Sequence, residues 1–226
     1  MSLGLLSQTI ITDRPDQTES ASTINKQSLQ IETGLLITQK IDLDENNLYL
    51  PSSLFRIGLT DRTELRIFHQ IQNINNISDM EFNNIELGVK TQLFNSKESL
   101  QIAILSHLVI ANSSFKQKDN GIINKICISH EFENSLNIAW NLGYNYFYNN
   151  QSQITYSFVS GFKINNRTNT FLEPYGERNQ NGEWEQNINA GVTYLIKDNI
   201  QFDYSVGSGI NHKFNFMSIG FSILIS

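Results

Sequence analysis

The chain carries one cysteine, Cys127, so no disulfide can close within it, and only three prolines interrupt its 226 residues. Basic residues are also few, 16 against 22 acidic ones, and the formal net charge is -6. Without a concentrated basic face to meet phosphates, a nucleic-acid partner is set aside. No run reaches the 18 or so apolar residues that a membrane-crossing helix requires, which excludes that mode of spanning. Hydrophobic residues amount to 39%, thin provision for a conventional packed core. A barrel that turns apolar side chains to lipid and keeps a wet, polar lumen needs fewer of them, so a mean hydropathy of -0.29 is compatible with membrane insertion. The start, Met1 to Gln8, shows only a short apolar trace without a basic segment, and reads as a mature start or a signal remnant.

What is present throughout is period-two alternation broken by turn residues, with no convincing helical period. Leu29, Ile31, Thr33, Leu35 and Ile37 fall on one face, against Gln30, Glu32 and Gly34. The same design recurs in Leu65, Ile67 and Ile71 against Glu64, Arg66, Gln70 and Gln72, and in Leu136, Ile138, Trp140, Leu142, Tyr144 and Tyr146 against Asn137, Ala139, Asn141, Gly143 and Asn145. Such alternation means two unlike environments, one on each side of a sheet. Tyr144, Tyr146 and Tyr148 fit an interfacial aromatic girdle.

The pattern predicts an all-β, up-and-down transmembrane barrel of about twelve strands, near 27–38, 48–59, 62–73, 82–94, 98–112, 121–133, 135–148, 152–164, 168–178, 183–196, 199–210 and 214–225. A twelve-residue strand at about 3.3 Å per residue and about 45° tilt rises about 28 Å, enough for an apolar band of about 25 Å. The weakest segments are 98–112 and 121–133, apolar on both faces, and 170–177, which holds Pro174. Every second connection is tight, as at Thr60-Asp61 and Lys197-Asp198, and would face the periplasm; longer polar stretches at 39–47, 74–81, 113–120 and 179–182 would be outward loops. Residues 1–25 lack periodicity and are read as an irregular arm, with residues 26–226 as the barrel.

Projected through the alternation, Glu32, Arg56, Glu64, Arg66, Glu86, Lys90, Lys125, Glu131, Lys163, Glu173 and Asp203 all fall on the face away from lipid. Charges of both signs on one interior allow two readings. They can bind or filter a polar solute, or they can pair and close a barrel of intermediate width, between the eight strands that pack solid and the roughly sixteen of an open porin. Arg56, Glu64 and Arg66 flank one tight hairpin and can pair directly. In the arm, Asp13, Arg14, Asp16 and Glu19 can fold into the lumen as a plug or gate, or remain in a disordered periplasmic segment.

Catalysis finds no footing. None of His69, His107, His130 and His212 sits in a nucleophile–base pattern; Ser106 and His107 are neighbours on a strand and so point to opposite faces. No spacing suggests a metal site or a phosphate loop, and Asp42, Asp44 and Glu45 read as a solvated acidic turn rather than a calcium loop. No enzyme activity, cofactor or metal is expected.

Residues 12–20 (Thr-Asp-Arg-Pro-Asp-Gln-Thr-Glu-Ser), 30–34 (Gln-Ile-Glu-Thr-Gly) and 51–59 (Pro-Ser-Ser-Leu-Phe-Arg-Ile-Gly-Leu) resemble the transporter-like outer-membrane family named for the MetA pathway of phenol degradation. Residues 61–66 and 201–207 are similar to a hairpin and the penultimate strand of that family, so the resemblance runs nearly end to end. It implies a Bacteroidetes-type outer-membrane barrel that takes up small, hydrophobic or aromatic compounds. The chain departs from the usual barrel ending on an aromatic, since it closes Phe221-Ser222-Ile223-Leu224-Ile225-Ser226. The first expectation is therefore a passive channel lined by charge, with lipid and a small solute as partners. The rivals are a closed structural or adhesion barrel acting through its loops, and a soluble β-sandwich.

Overall fold

The computed structural model describes residues 9–74, 81–96, 100–111, 120–132, 136–148, 151–178 and 181–226. Twelve strands follow in chain order: β1 (Leu29–Lys40), β2 (Glu45–Thr60), β3 (Thr63–Ile74), β4 (Glu81–Asn95), β5 (Leu100–Ile110), β6 (Gly121–Glu131), β7 (Leu136–Phe147), β8 (Gln151–Lys163), β9 (Thr168–Arg178), β10 (Trp184–Lys197), β11 (Ile200–Gly209) and β12 (Phe214–Ile225). Each pairs antiparallel with its neighbours, and β1 pairs with β12 from Leu29–Ile225 to Lys40–Phe214, which closes the sheet. Closure removes every edge, so no backbone row is left unpaired toward lipid. A single closed sheet also overturns the sandwich reading, which needs a second sheet to cover the apolar face.

The two faces fall where the alternation puts them. Leu87, Leu142, Tyr144 and Phe202 turn outward and stay exposed, while Gln30, Glu32, Arg56, Glu64, Arg66, Lys90 and Asp203 turn inward and are fully buried or nearly so. A soluble sandwich, which buries its apolar faces against one another, would show the reverse. Pro174 sits within β9, where the pairing with β8 lapses between Tyr175 and Leu172, because proline has no N–H to give the ladder.

One expected loop is shorter than its polarity suggests. Of residues 39–47, only 41–44 leave the ladder, in a 3-10 turn (Ile41–Leu43) closed by Asp44 in the left-handed conformation. Polar side chains there alternate as well as apolar ones do, so the ladder continues to Lys40 and Glu45. The expected loops at 74–81 and 113–120 lie largely outside the described residues.

The described residues ahead of β1, 9–28, do not hang from the barrel. Ile10 N–H donates to the Asp198 carbonyl in the β10–β11 turn (2.8 Å), and Gln27 N–H to the Gly58 carbonyl near the β2–β3 turn (2.9 Å). Residues 10 and 27 are thus both fixed at the tight-turn mouth, and the residues between them rise into the lumen and return. Ile10 and Ile24 pack with Leu224 at that mouth. Deeper in, Ala21 packs against Ala103, Leu105 and Cys127, which explains why β5 and β6 are apolar on both faces: one meets lipid, the other meets the arm.

Candidate functional site

The inward face and the arm form one polar network. Arg56 grips Glu64 with two parallel bonds, Nε to Oε1 (2.9 Å) and Nη2 to Oε2 (3.0 Å), and donates Nη1 to Glu32 (3.1 Å). Arg66, opposite Arg56 across the β2–β3 ladder, donates to Glu64 (2.9 Å), to Asp13 (2.7 Å) and to Glu19 (2.6 Å). Lys90 Nζ reaches Asp13 at 2.9 Å and Lys125 Nζ lies 3.8 Å from Glu19. Arg14 Nη2 meets Asp203 at 3.3 Å and donates to Ser218 Oγ at 2.8 Å. Five cations (Arg14, Arg56, Arg66, Lys90, Lys125) thus meet five anions (Asp13, Glu19, Glu32, Glu64, Asp203) in ion pairs, while the buried Glu173 is held, among the described residues, by neutral donors alone.

Three of those partners, Asp13, Arg14 and Glu19, come from the arm. Burial alone would raise the Asp13 carboxyl, but Arg56, Lys90 and Arg66 outweigh it and hold that group well below the usual carboxylate range. The arm's backbone is also held by side chains of the wall. Glu173 accepts from the N–H groups of Gln17 (2.9 Å) and Thr18 (2.7 Å), from the Thr18 hydroxyl (2.6 Å) and from Asn189 (2.9 Å). Glu64 accepts from Ile24 N–H (2.9 Å), Glu32 from Asp13 N–H (2.9 Å), and Gln92 donates to the Ala21 carbonyl (3.1 Å). Gly34 and Gly220 make room for Arg14, since a Cβ at either would collide with its guanidinium.

All eleven inward charges foreseen from the alternation lie on the inner parity, but not in one place. Glu32, Arg56, Glu64, Arg66, Lys90, Glu173 and Asp203 are deep in the lumen. Glu86 is half-buried and bonds His107 Nδ1 (2.9 Å), whose Nε2 accepts from Arg66 Nε (3.2 Å). Lys125 is half-buried, and Glu131 and Lys163 are exposed at strand ends by the tight-turn mouth, outside the network. Missed in the sequence were the polar neutral contributors, Gln30, Gln92, Asn141 and Asn189, which all bond the arm or its anchors. Their inward parity was legible; nothing local told them from the many other Asn and Gln of the chain.

Above the arm's turn the lumen opens into a cavity of about 730 Å³, floored by Asp13 to Gln17 and walled by Phe68, His107, Tyr175, Asn187 and Phe216 among others. Asp16 faces it. Burial and the carboxylates of Glu173, Asp13 and Glu19 push the Asp16 carboxyl well above its usual range. Ser106 and His107 do diverge: Ser106 is exposed on the outer face and bonds Asn124 (2.9 Å), while His107 is buried inside.

The fold has close counterparts among solved barrels. The NanC porin superposes with a TM-score of 0.62 at 11% identity, covering 84% of this chain and 98% of that one. The KdgM porin in complex with disordered oligogalacturonate gives 0.61 at 10% identity, covering 86% and 98%. The CymD monoaromatic hydrocarbon channel gives 0.51 at 8% identity, covering 89% of each. At such identities these likenesses concern the fold. No curated protein matches the chain in sequence. The profile of one family does match, over residues 12–215 and so from the arm almost to the last strand, and the chain belongs to that family, described as "Putative MetA-pathway of phenol degradation".

Proposed function

We propose that the protein is a passive channel for small solutes in the bacterial outer membrane, with its N-terminal arm as a built-in constriction. The observation that carries this reading is the seating of residues 9–28. They fill the tight-turn half of the lumen through ion pairs and hydrogen bonds to Arg56, Arg66, Lys90 and Glu173, leaving the other half as a cavity of about 730 Å³. A structural spacer would be better served by apolar packing, because polar contacts can be exchanged for water and remade at small net cost. The family and the porin-like fold agree with solute passage, and the CymD channel's monoaromatic hydrocarbons suggest small aromatic compounds among its solutes. No catalytic role is assigned to the chain: Ser106 and His107 face opposite sides, and His107 is engaged by Glu86 and Arg66.

Single-channel conductance in planar bilayers tests this reading. The intact chain should be silent or pass brief, small openings. Deletion of residues 9–22 should give large, long openings, and in that background Arg56→Ala and Arg66→Ala should shift ion selectivity toward cations. An arm-deleted barrel that inserts and folds but stays silent would leave a closed structural barrel as the better account.

A further inference from the structure

The lipid-facing wall is not uniformly apolar. Among the outward side chains of β4 to β7, where Leu87, Ile104, Leu108, Ile126 and Leu142 stand exposed, Ser106 and Asn124 interrupt the pattern. They pair across the β5–β6 ladder, and the Ser106 hydroxyl donates to Asn124 Oδ1 at 2.9 Å. Ser106 lies near the middle of β5 (Leu100–Ile110), so the pair sits inside the apolar band rather than at its edge. The Asn124 amide N–H groups find no acceptor among the described residues, and hydrocarbon, which offers none, makes such a group costly. A second outward polar row is closed within its own barrel: Thr33 and Ser53 bond each other at 2.7 Å, and Ser53 is only 4% exposed. His69 beside them is half-buried, its ring centre 6.0 Å from that of Phe55. Beside Asn124 the wall is also hollow, with about 550 Å³ of space lined by Thr91, Ser106 and Asn124 together with Ile126, Leu142 and Tyr144. Tyr144, directly opposite Asn124 on β7, borders that hollow and is 51% exposed.

Whatever covers this patch must bring a hydrogen-bond acceptor to the middle of the bilayer. Acyl chains carry none there, and headgroups lie at the edges of the band. A second copy of the chain meets the need by symmetry. Two barrels inserted the same way round and related by a two-fold axis along the membrane normal place equivalent residues at equal depth, and such a contact sets like against like. An amide is donor and acceptor at once, so Asn124 of one copy is complementary to Asn124 of another. A knob and a hole side by side, Tyr144 and the hollow, are self-complementary in the same sense. We propose that the outer face of β5 to β7, centred on Asn124, is the interface of a homodimer, with the two Asn124 amides bonded across the axis and each Tyr144 ring seated in the other copy's hollow. The inference concerns assembly, and it holds whether or not the pore conducts.

The full chain refolded into phosphatidylcholine vesicles, with cysteine variants in a Cys127→Ala background, tests it. Asn124→Cys should give a disulfide-linked dimer on oxidation, because the axis sets position 124 beside its equivalent. Tyr204→Cys, outward on the opposite wall in β11, should cross-link no more than chance collision allows. Association is read without a cross-link as energy transfer between donor- and acceptor-labelled copies carrying Asp61→Cys in the exposed β2–β3 turn. Adding Asn124→Leu should weaken that association at least about tenfold, while the barrel, relieved of an unpaired amide toward lipid, resists heat at least as well as its parent. The two readouts together separate an interface residue from one that only holds the fold. Energy transfer at the chance level in the parent, equal cross-linking at positions 124 and 204, association indifferent to Asn124→Leu, or loss of heat resistance in that variant would each overturn the proposal.

Discussion

Cys127 offers a direct measure of how firmly the arm is seated. It is the chain's one thiol, it faces the lumen, and it is fully buried beneath Ala21 of the arm. A thiol reagent entering the lumen reaches it only when the arm lifts, so the labelling rate follows the population of the lifted state when lifting is fast relative to reaction. The perturbation is Asp13→Ala. Its carboxylate receives Arg66 at 2.7 Å, Lys90 at 2.9 Å and the Ser20 N–H at 2.8 Å, and Arg56 lies 3.4 Å away. Removing one partner of a buried ion pair commonly costs about 3–5 kcal/mol. Here Glu64 and Glu32 remain beside the three cations, so the lower figure applies. About 3 kcal/mol corresponds to roughly a hundredfold more lifted arm, and the labelling rate by a small methanethiosulfonate should rise by about that factor. The assay is mass-resolved labelling of refolded protein over time, with residues 9–22 deleted as the upper limit. A parent chain that labels as fast as the deletion would refute the seated arm; a parent that is protected and an Asp13→Ala chain that labels no faster would refute the role given to the ion pairs.

Acid should unseat the arm in a defined window. Asp13 is held below its usual range when seated and returns to about 3.9 when released. Its contribution is therefore complete above about pH 4 and lost as pH falls through the depressed value. Amide exchange of residues 17–20, compared between parent and Asp13→Asn at each pH, should show a large ratio at pH 5–7 that collapses below about pH 4; a constant ratio would exclude Asp13 titration as the cause. On the barrel wall, Leu142→Arg should cost about 2–4 kcal/mol of folding stability if that residue lies near the bilayer midplane, while Asn145→Arg, facing the cavity, should cost far less by denaturant titration in lipid. Equal costs would contradict the assignment of faces. Gln92, though inward, is no neutral control, because it holds the Ala21 carbonyl.

The wall was legible from the chain because period two in hydrophobicity is a local property. Each strand end lies within a few residues of its expected place, and Leu87, Tyr144 and Phe202 turn outward as the alternation requires. The Arg56–Glu64 pair could also be foreseen, since a tight hairpin places residues 8 apart on adjacent strands. The arm could not. Its sequence has no period, and its partners are remote, as with Gln17 and Glu173, 156 residues apart. A charged, aperiodic stretch is compatible with disorder in solvent and with a seat among buried opposite charges; local pattern does not distinguish them. The apolar inner faces of β5 and β6 held the clue, with Ala103, Leu105 and Cys127 waiting for an apolar partner inside a lumen that should be wet.

Strand order, facing and the polarity of the interior thus follow from the sequence, because neighbours along the chain pair with neighbours and side chains alternate. Which charges meet, where the arm lies and where a cavity remains were decided by closure of the sheet. Only closure brings β1 beside β12 and sets Glu32, Glu64, Glu173 and Asp203 around one space, and only that space is narrow enough for a single arm to satisfy them while leaving room above it.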